Sequence, residues 1–165
     1  MVKKIGVLVV VLAVVAVGWW YWSPQSDRSL VMKALREMAD AASKERNETT
    51  AAMWLKTRKA DEYLADPCSF QLERTMFSGE FSPEEITSNL VRLRRVFNTC
   101  RLSFYDAEVT FPQPDRAIID FTGNLQGELR NGEKVDEVRE IRAELSKIKE
   151  QWRFCRFSIR QVIRK

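Results

Sequence analysis

Residues 107–121 read AEVTFPQPDRAIIDF. Ala107, Val109 and Phe111 alternate with Glu108 and Thr110, and Ala117, Ile119 and Phe121 alternate with Ile118 and Asp120. A period of two is that of a strand with one face on a core and the other in water. Between the two runs, Pro112-Gln113-Pro114-Asp115 forms a cluster of turn residues. The stretch therefore predicts two antiparallel strands joined by a turn. Just upstream, Leu102 and Phe104 share the opposite parity to Ala107, Val109 and Phe111. One extra residue near Tyr105-Asp106 reconciles them, so a β-bulge is expected there.

The second strand runs on through Thr122, Asn124 and Leu125, and Asn131-Gly132 supplies the next turn. Residues 135–148 fit two patterns. Val135, Val138, Ile141, Leu145 and Ile148 suit a helix, while Ile141, Ala143 and Leu145 against Arg142 and Glu144 suit a strand. Trp152 to Ile163 again has aromatic and β-branched residues at strand spacing. Strands on both sides favour a strand between them, with a short turn at Lys149-Glu150-Gln151.

Ahead of this sheet, Ser82-Pro83-Glu84-Glu85 combines a hydroxyl N-cap, proline at the first helical position and a capping-box glutamate. The helix it starts, Pro83 to Asn98, places Ile86, Leu90, Leu93 and Phe97 on one face, with Arg92 and Arg95 pointing away. Cys68 to Phe77 is rich in strand formers and is followed by a turn at Gly79. Leu30, Val31, Ala34, Leu35, Met38 and Ala42 recur at helical spacing. The pattern loosens near Asn47, then resumes through Met53, Trp54, Ala60, Tyr63 and Leu64. It stops at Asp66-Pro67, because the residue before a proline is driven out of helical geometry. Two helices, or one bent helix, fill this first third.

The N-terminal run Ile5 to Trp22, IGVLVVVLAVVAVGWWYW, carries no charge and follows Lys3 and Lys4. As a helix it would extend about 27 Å at roughly 1.5 Å per residue, enough for a bilayer core. Trp19, Trp20, Tyr21 and Trp22 suit the headgroup region. The flanking lysines place the N-terminus in the cytoplasm and the rest outside, on the periplasmic side of a bacterial inner membrane. A cleaved signal peptide competes, since Ala16-Val17-Gly18 offers small residues at a processing site. Cleavage there would leave an exposed Trp-Trp-Tyr-Trp start, so an uncleaved signal anchor is preferred. The expected organisation is a tail at 1–4, a span at 5–22, a linker at 23–29 and one domain at 30–165.

The chain has 27 Lys and Arg against 23 Asp and Glu, and Lys3 and Lys4 precede the span. The remainder is close to neutral, which argues against a nucleic-acid partner. There is no histidine. Imidazole metal sites, histidine triads and histidine proton shuttles are thereby excluded. Cys68, Cys100 and Cys155 lie far apart with no C-x-x-C spacing, so neither a thiol-redox motif nor a metal site is expected, and no cofactor is called for. The cysteines are read either as buried thiols or as one oxidised pair plus a free thiol.

The order helix, helix, strand, capped helix and then three or four long antiparallel strands resembles the nuclear transport factor 2-like superfamily. The phrases Ala107–Phe111, Asp115–Phe121 and Ile148-Lys149-Glu150-Gln151-Trp152-Arg153-Phe154 carry the likeness. It implies an α+β cystatin-like cone in which a curved antiparallel sheet wraps helices around a cavity. It further implies that the strand after the second helix lies beside the last strand, which would bring Cys68 near Cys155 as a disulfide candidate, with Cys100 far away.

Enzymes of this superfamily (isomerases, cyclases, dehydratases) use acids, tyrosines or histidines that point into the cone. Here the histidines are missing, which leaves Glu73, Asp106 and Asp120 as acid–base candidates, with the alternative that each lies on a solvated strand face. Trp54, Tyr63, Phe70, Phe97, Phe104, Phe121 and Trp152 are the pocket-lining candidates, or plain core. Arg153, Arg156, Arg160 and Arg164 read as an anionic-partner surface or as charges that keep an exposed strand from pairing. Another branch of the fold is membrane-anchored with an extracytoplasmic cone, as in assembly subunits of type IV secretion systems. Sequence alone therefore favours a non-catalytic, membrane-tethered binding or assembly module, touching lipid through its anchor and a membrane protein, a second copy or an apolar ligand through its domain. The alternative is a cavity enzyme acting on an apolar small molecule.

Overall fold

A computed structural model describes residues 26–72 and 78–161. The expected span at 5–22 and the candidate Glu73 lie outside them, and among the described residues no helix is long and apolar enough to cross a membrane. Three helices pack on one six-stranded sheet: α1 Asp27–Ala42, α2 Thr50–Asp61, β1 Leu64–Leu72, β2 Gly79–Phe81, α3 Pro83–Val96, β3 Phe97–Gln113, β4 Arg116–Leu129, β5 Lys134–Ile148 and β6 Gln151–Gln161. The strand order is β2-β1-β6-β5-β4-β3, and every pairing is antiparallel except that of β1 with β6.

The strands follow the alternation in the sequence. On β4, Ala117, Ile119 and Phe121 are buried while Ile118, Asp120 and Thr122 between them are not. The β3–β4 register shifts between Tyr105 and Glu108, and Asp106 takes a positive φ of 53°. This is the expected bulge, and it turns β3 over so that both parities of its apolar residues are used. The turn to β4 is tighter than four residues: Gln113 pairs with Arg116, leaving only Pro114 and Asp115. Residues 134–148 are strand, and Lys149 and Glu150, with φ of 48° and 63°, make the two-residue hairpin to β6.

The helices match less closely. α1 buries Val31, Ala34 and Leu35 against Ile119, Leu145 and Phe154 of the sheet. α2 ends at Asp61, so Tyr63 and Leu64 are not helical. The Tyr63 carbonyl accepts from Phe154 N at 2.7 Å and Leu64, fully buried, opens β1. Tertiary pairing with β6 thus ends the helix before Pro67 is reached. α2 itself buries little besides Thr57 and Ala60, and Trp54 and Leu55 are exposed.

The capping box of α3 is complete, with Ser82 N donating to Glu85 at 2.8 Å and Glu85 N to Ser82 Oγ at 3.3 Å. Its buried side runs through Val91 and Arg94, while Leu93 is 47% exposed. Arg94 has no exposed surface; it donates to the Ala41 carbonyl and forms a buried pair with Glu48, whose other oxygen faces Lys56 at 3.3 Å. Lys44 Nζ donates to the Arg94 carbonyl at 3.1 Å and to that of Phe97. This charged knot ties the end of α1 and the α1–α2 loop to the end of α3.

Candidate functional site: an apolar cavity between two helices and the sheet

The expected Ile86–Leu90–Leu93 face of α3 is real, and only Ile86 of the three packs against the core. The face borders an open cavity of about 690 Å³, within the size range of small-molecule sites. α1 closes one wall with Leu35, Met38 and Ala42, and β1 and β2 contribute Phe70 and Phe81. The sheet forms the floor with Leu102, Phe104, Phe121, Ile141, Phe157 and Ile159. The floor is braced by ring contacts: Phe70 stacks on Phe157 at 5.0 Å, and Phe104 meets Phe121 edge-on at 6.3 Å. Two polar side chains line the space, Asn89 and Arg92, three residues apart on α3.

The aromatic candidates separate on this map. Phe70, Phe104 and Phe121 line the cavity. Trp54 is 58% exposed on α2, Tyr63 packs beside the core, and Phe97 is buried at the start of β3 near Gly127. Trp152 is buried at the other end of α1, where its Nε1 donates to Asp27 at 3.0 Å beside Lys147 at 3.1 Å. Those two hydrogen bonds, the Trp152 one first, hold the Asp27 carboxyl below the usual carboxylate range.

Asp106 and Asp120 border a shallow depression of about 260 Å³ with Glu108, Thr122, Glu140, Arg142 and Arg160. Asp120 accepts from Arg142 Nε at 2.7 Å and Nη2 at 3.0 Å, a bidentate pair that holds the guanidinium all the more firmly in its charged form. Alternation along β4 sets this carboxylate on the face opposite Ile119 and Phe121. Arg156 pairs with Glu144 at 3.3 Å, so at least part of the basic run on β6 is matched by acids on β5.

Asp61 went unnoticed in the sequence. Its Oδ1 is buried without a hydrogen-bond partner, and burial pushes its carboxyl up. It sits at the end of α2, within reach of Thr87 and Glu84 of α3 and outside the cavity lining. Arg92, expected to point away from the apolar face of α3, instead borders the cavity beside Leu90 and Leu93, and Arg94 and Asn89 were unread as functional or structural contacts. The single available signal was that Asn89 falls next to Leu90 on an otherwise apolar helix face.

Cys68 and Cys155 each precede the Ser69–Arg156 pair by one residue, on the adjacent strands β1 and β6. Both are free thiols, as is Cys100 on the distant edge strand β3. The Cys155 thiol faces the Glu144 carbonyl at 3.3 Å, and burial pushes the Cys68 thiol up to about 12. No cluster of metal-ligating side chains occurs among the described residues.

No protein-family model matches this sequence, and no curated protein does. Solved structures do match. A hexachlorocyclohexane dehydrochlorinase, LinA-type3 from Novosphingobium barchaimii, is 11% identical over 82% of this chain and 86% of its own, with a TM-score of 0.66. A nuclear transport factor 2-like protein with a cystatin-like fold from Novosphingobium aromaticivorans is 14% identical over 84% of both chains, with a TM-score of 0.63. The fold is cystatin-like. Kfla4162 protein from Kribbella flavida is similar as well, at 18% identity and a TM-score of 0.62 over 81% of this chain and 89% of its own.

The expectation of a non-catalytic binding or assembly module is corrected by these findings. Several of the similar structures are enzymes by name, dehydrochlorinases among them. Phe104 borders open space, and Trp152 is engaged by Asp27 at the other end of α1.

Proposed function

We propose that this chain is a cavity enzyme, an isomerase, dehydratase or cyclase in kind, acting on an apolar small molecule. The observation that carries the reading is the open cavity with an almost wholly apolar lining. Such a space excludes water, binds hydrocarbon surface and strengthens any charge placed at its edge. Proton transfer there requires a general acid or base within hydrogen-bond reach of the substrate.

No carboxylate is among the described lining residues, and Asp106 and Asp120 border the separate charged depression instead. Glu73 follows directly on Leu72, the last residue of β1, and β1 and β2 each bring a phenylalanine to the cavity. We assign Glu73 the acid–base role on that chain position. The test is to incubate the purified full-length protein with a hydrophobic metabolite extract and follow conversion by mass spectrometry, seeking water loss or isomerisation. Glu73→Gln should keep ligand binding and lower turnover by at least about 100-fold. Undiminished turnover in that variant would remove Glu73 from the chemistry. A wild-type protein that retains ligands but converts none would sink the enzyme reading.

A further inference from the structure

Asn89 and Arg92 are the exceptions in a cavity otherwise bounded by aliphatic and aromatic side chains. They lie one helical turn apart, so they share a stripe of α3. Arg92 is exposed at the rim and has no ion pair among the described residues, and the half-buried Asn89 amide makes no hydrogen bond among them. Several charged side chains of α2 and α3 are engaged by contrast. Arg94 is paired with Glu48, Lys56 with Glu48 and Asp40, and Lys59 with Glu37. A free guanidinium and a free amide thus stand at the mouth of a hydrocarbon-lined space. A guanidinium at such an edge matches a carboxylate in shape and charge, by two parallel N–H···O bonds. A neutral amide beside it adds one more donor.

We propose that the occupant is an amphipathic carboxylic acid of small-molecule size, its apolar body in the cavity and its carboxylate at the mouth against Arg92 and Asn89. The inference rests on the cavity reading above and narrows its substrate class. A purely hydrocarbon ligand would gain nothing from Arg92, and a strongly polar one would lose its hydration against Phe104, Phe121 and Phe157. An acid with an apolar tail satisfies both ends. Anchoring the head at the rim also fixes how deep each tail carbon lies, which is the positional control an enzyme needs.

Calorimetric titration of the full-length chain with decanoate and with decanol, each below its aggregation threshold, reads the proposal. Decanoate should bind about tenfold more tightly, and the preference should shrink as salt is raised. Arg92→Gln should abolish the preference while leaving decanol affinity unchanged. Equal affinity of the wild type for both probes overturns the proposal, as does a variant that weakens both equally. Leu90→Trp, which fills the cavity, separates this failure from that of the underlying reading. If it blocks both probes while the wild type shows no preference, the cavity stands and the head-group assignment falls. If it blocks neither, the probes do not occupy the cavity and both readings fall. A stable dimer that Leu93→Glu dissociates would give the mouth to a second copy of the chain, and would also overturn the proposal.

Discussion

Along β4, Ala117, Ile119 and Phe121 face the helices and are buried, whereas Asp120, one residue away, faces Arg142 of β5 on the other side of the sheet. The same contrast repeats on β5, where Ala143 and Leu145 are buried and Glu144 pairs with Arg156. Of the acids that looked like catalysts in the sequence, Asp106 and Asp120 border the depression on the outer side. The helix side holds the cavity and is almost free of titratable groups. A sheet with period-two alternation makes this separation automatic. The lesson is that inside a strand the carboxylate next to a pocket aromatic, as Asp120 is next to Phe121, points to the opposite face, so adjacency within a strand is the wrong guide to a site. Where the helix side does contain a charge, Arg94, that charge is buried and paired, and its energetics differ from those of the outer pairs.

Removing one charge from each side of the sheet separates the two cases. Arg94→Ala strips the partner from Glu48, whose side chain is only 4% exposed, and frees the carbonyl of Ala41. Leaving a buried carboxylate with Lys56 alone should cost about 3–5 kcal/mol in denaturant unfolding. Replacing the pair together, Arg94→Met with Glu48→Leu, should restore most of that loss, because the penalty comes from the unpaired charge. A loss in the double variant as large as in the single one would mean that the knot stabilises through Lys44 and the α3 carbonyls instead.

On the outer side, Asp120→Asn tests the opposite limit. Its pair with Arg142 is bidentate, yet both side chains are about half exposed, at 48% and 52%. Water and salt screen such a pair, and its attraction is largely offset by the ordering of two side chains. The unfolding midpoint should stay within error of the wild type, and turnover should be unaffected. Loss of turnover with unchanged stability would move the chemistry to the charged depression and reverse the reading of the two faces.

Much of this architecture was legible in the sequence. The alternation in 107–121 fixed two strands and the bulge at Tyr105-Asp106, and the flanking strands resolved 135–148 correctly, because period two survives any tertiary arrangement. Helix ends were less legible. Tyr63 and Leu64 fit helical spacing, but pairing with Phe154 won. The cavity was not legible, for a physical reason. Ile86, Leu90 and Leu93 make the same apolar stripe whether they press on a sheet or border empty space. Periodicity reports which face avoids water, not what fills it. Arg94 shows the converse, since a charged residue is buried wherever partners such as Glu48 and a free carbonyl happen to converge from distant parts of the chain.

A small effect that depends on pH belongs to Asp27, at the N-terminal end of α1, where Trp152 and Lys147 meet its carboxylate. Its folded pKa is depressed, first by the Trp152 hydrogen bond and then by that of Lys147. A depressed carboxylate contributes stability that is present above its unfolded pKa, near the ordinary value of about 3.9. That contribution is lost as pH falls through the lower folded value. Asp27→Asn keeps an oxygen that accepts from Trp152 Nε1 but removes the charge. The variant should therefore melt slightly below the wild type from neutral pH down to the carboxylate range, and the gap should close on further acidification. Other acids titrate in both proteins, so the quantity to plot is the difference in melting temperature against pH. A gap that persists undiminished below the carboxylate range would assign the effect to packing around Trp152 and not to charge.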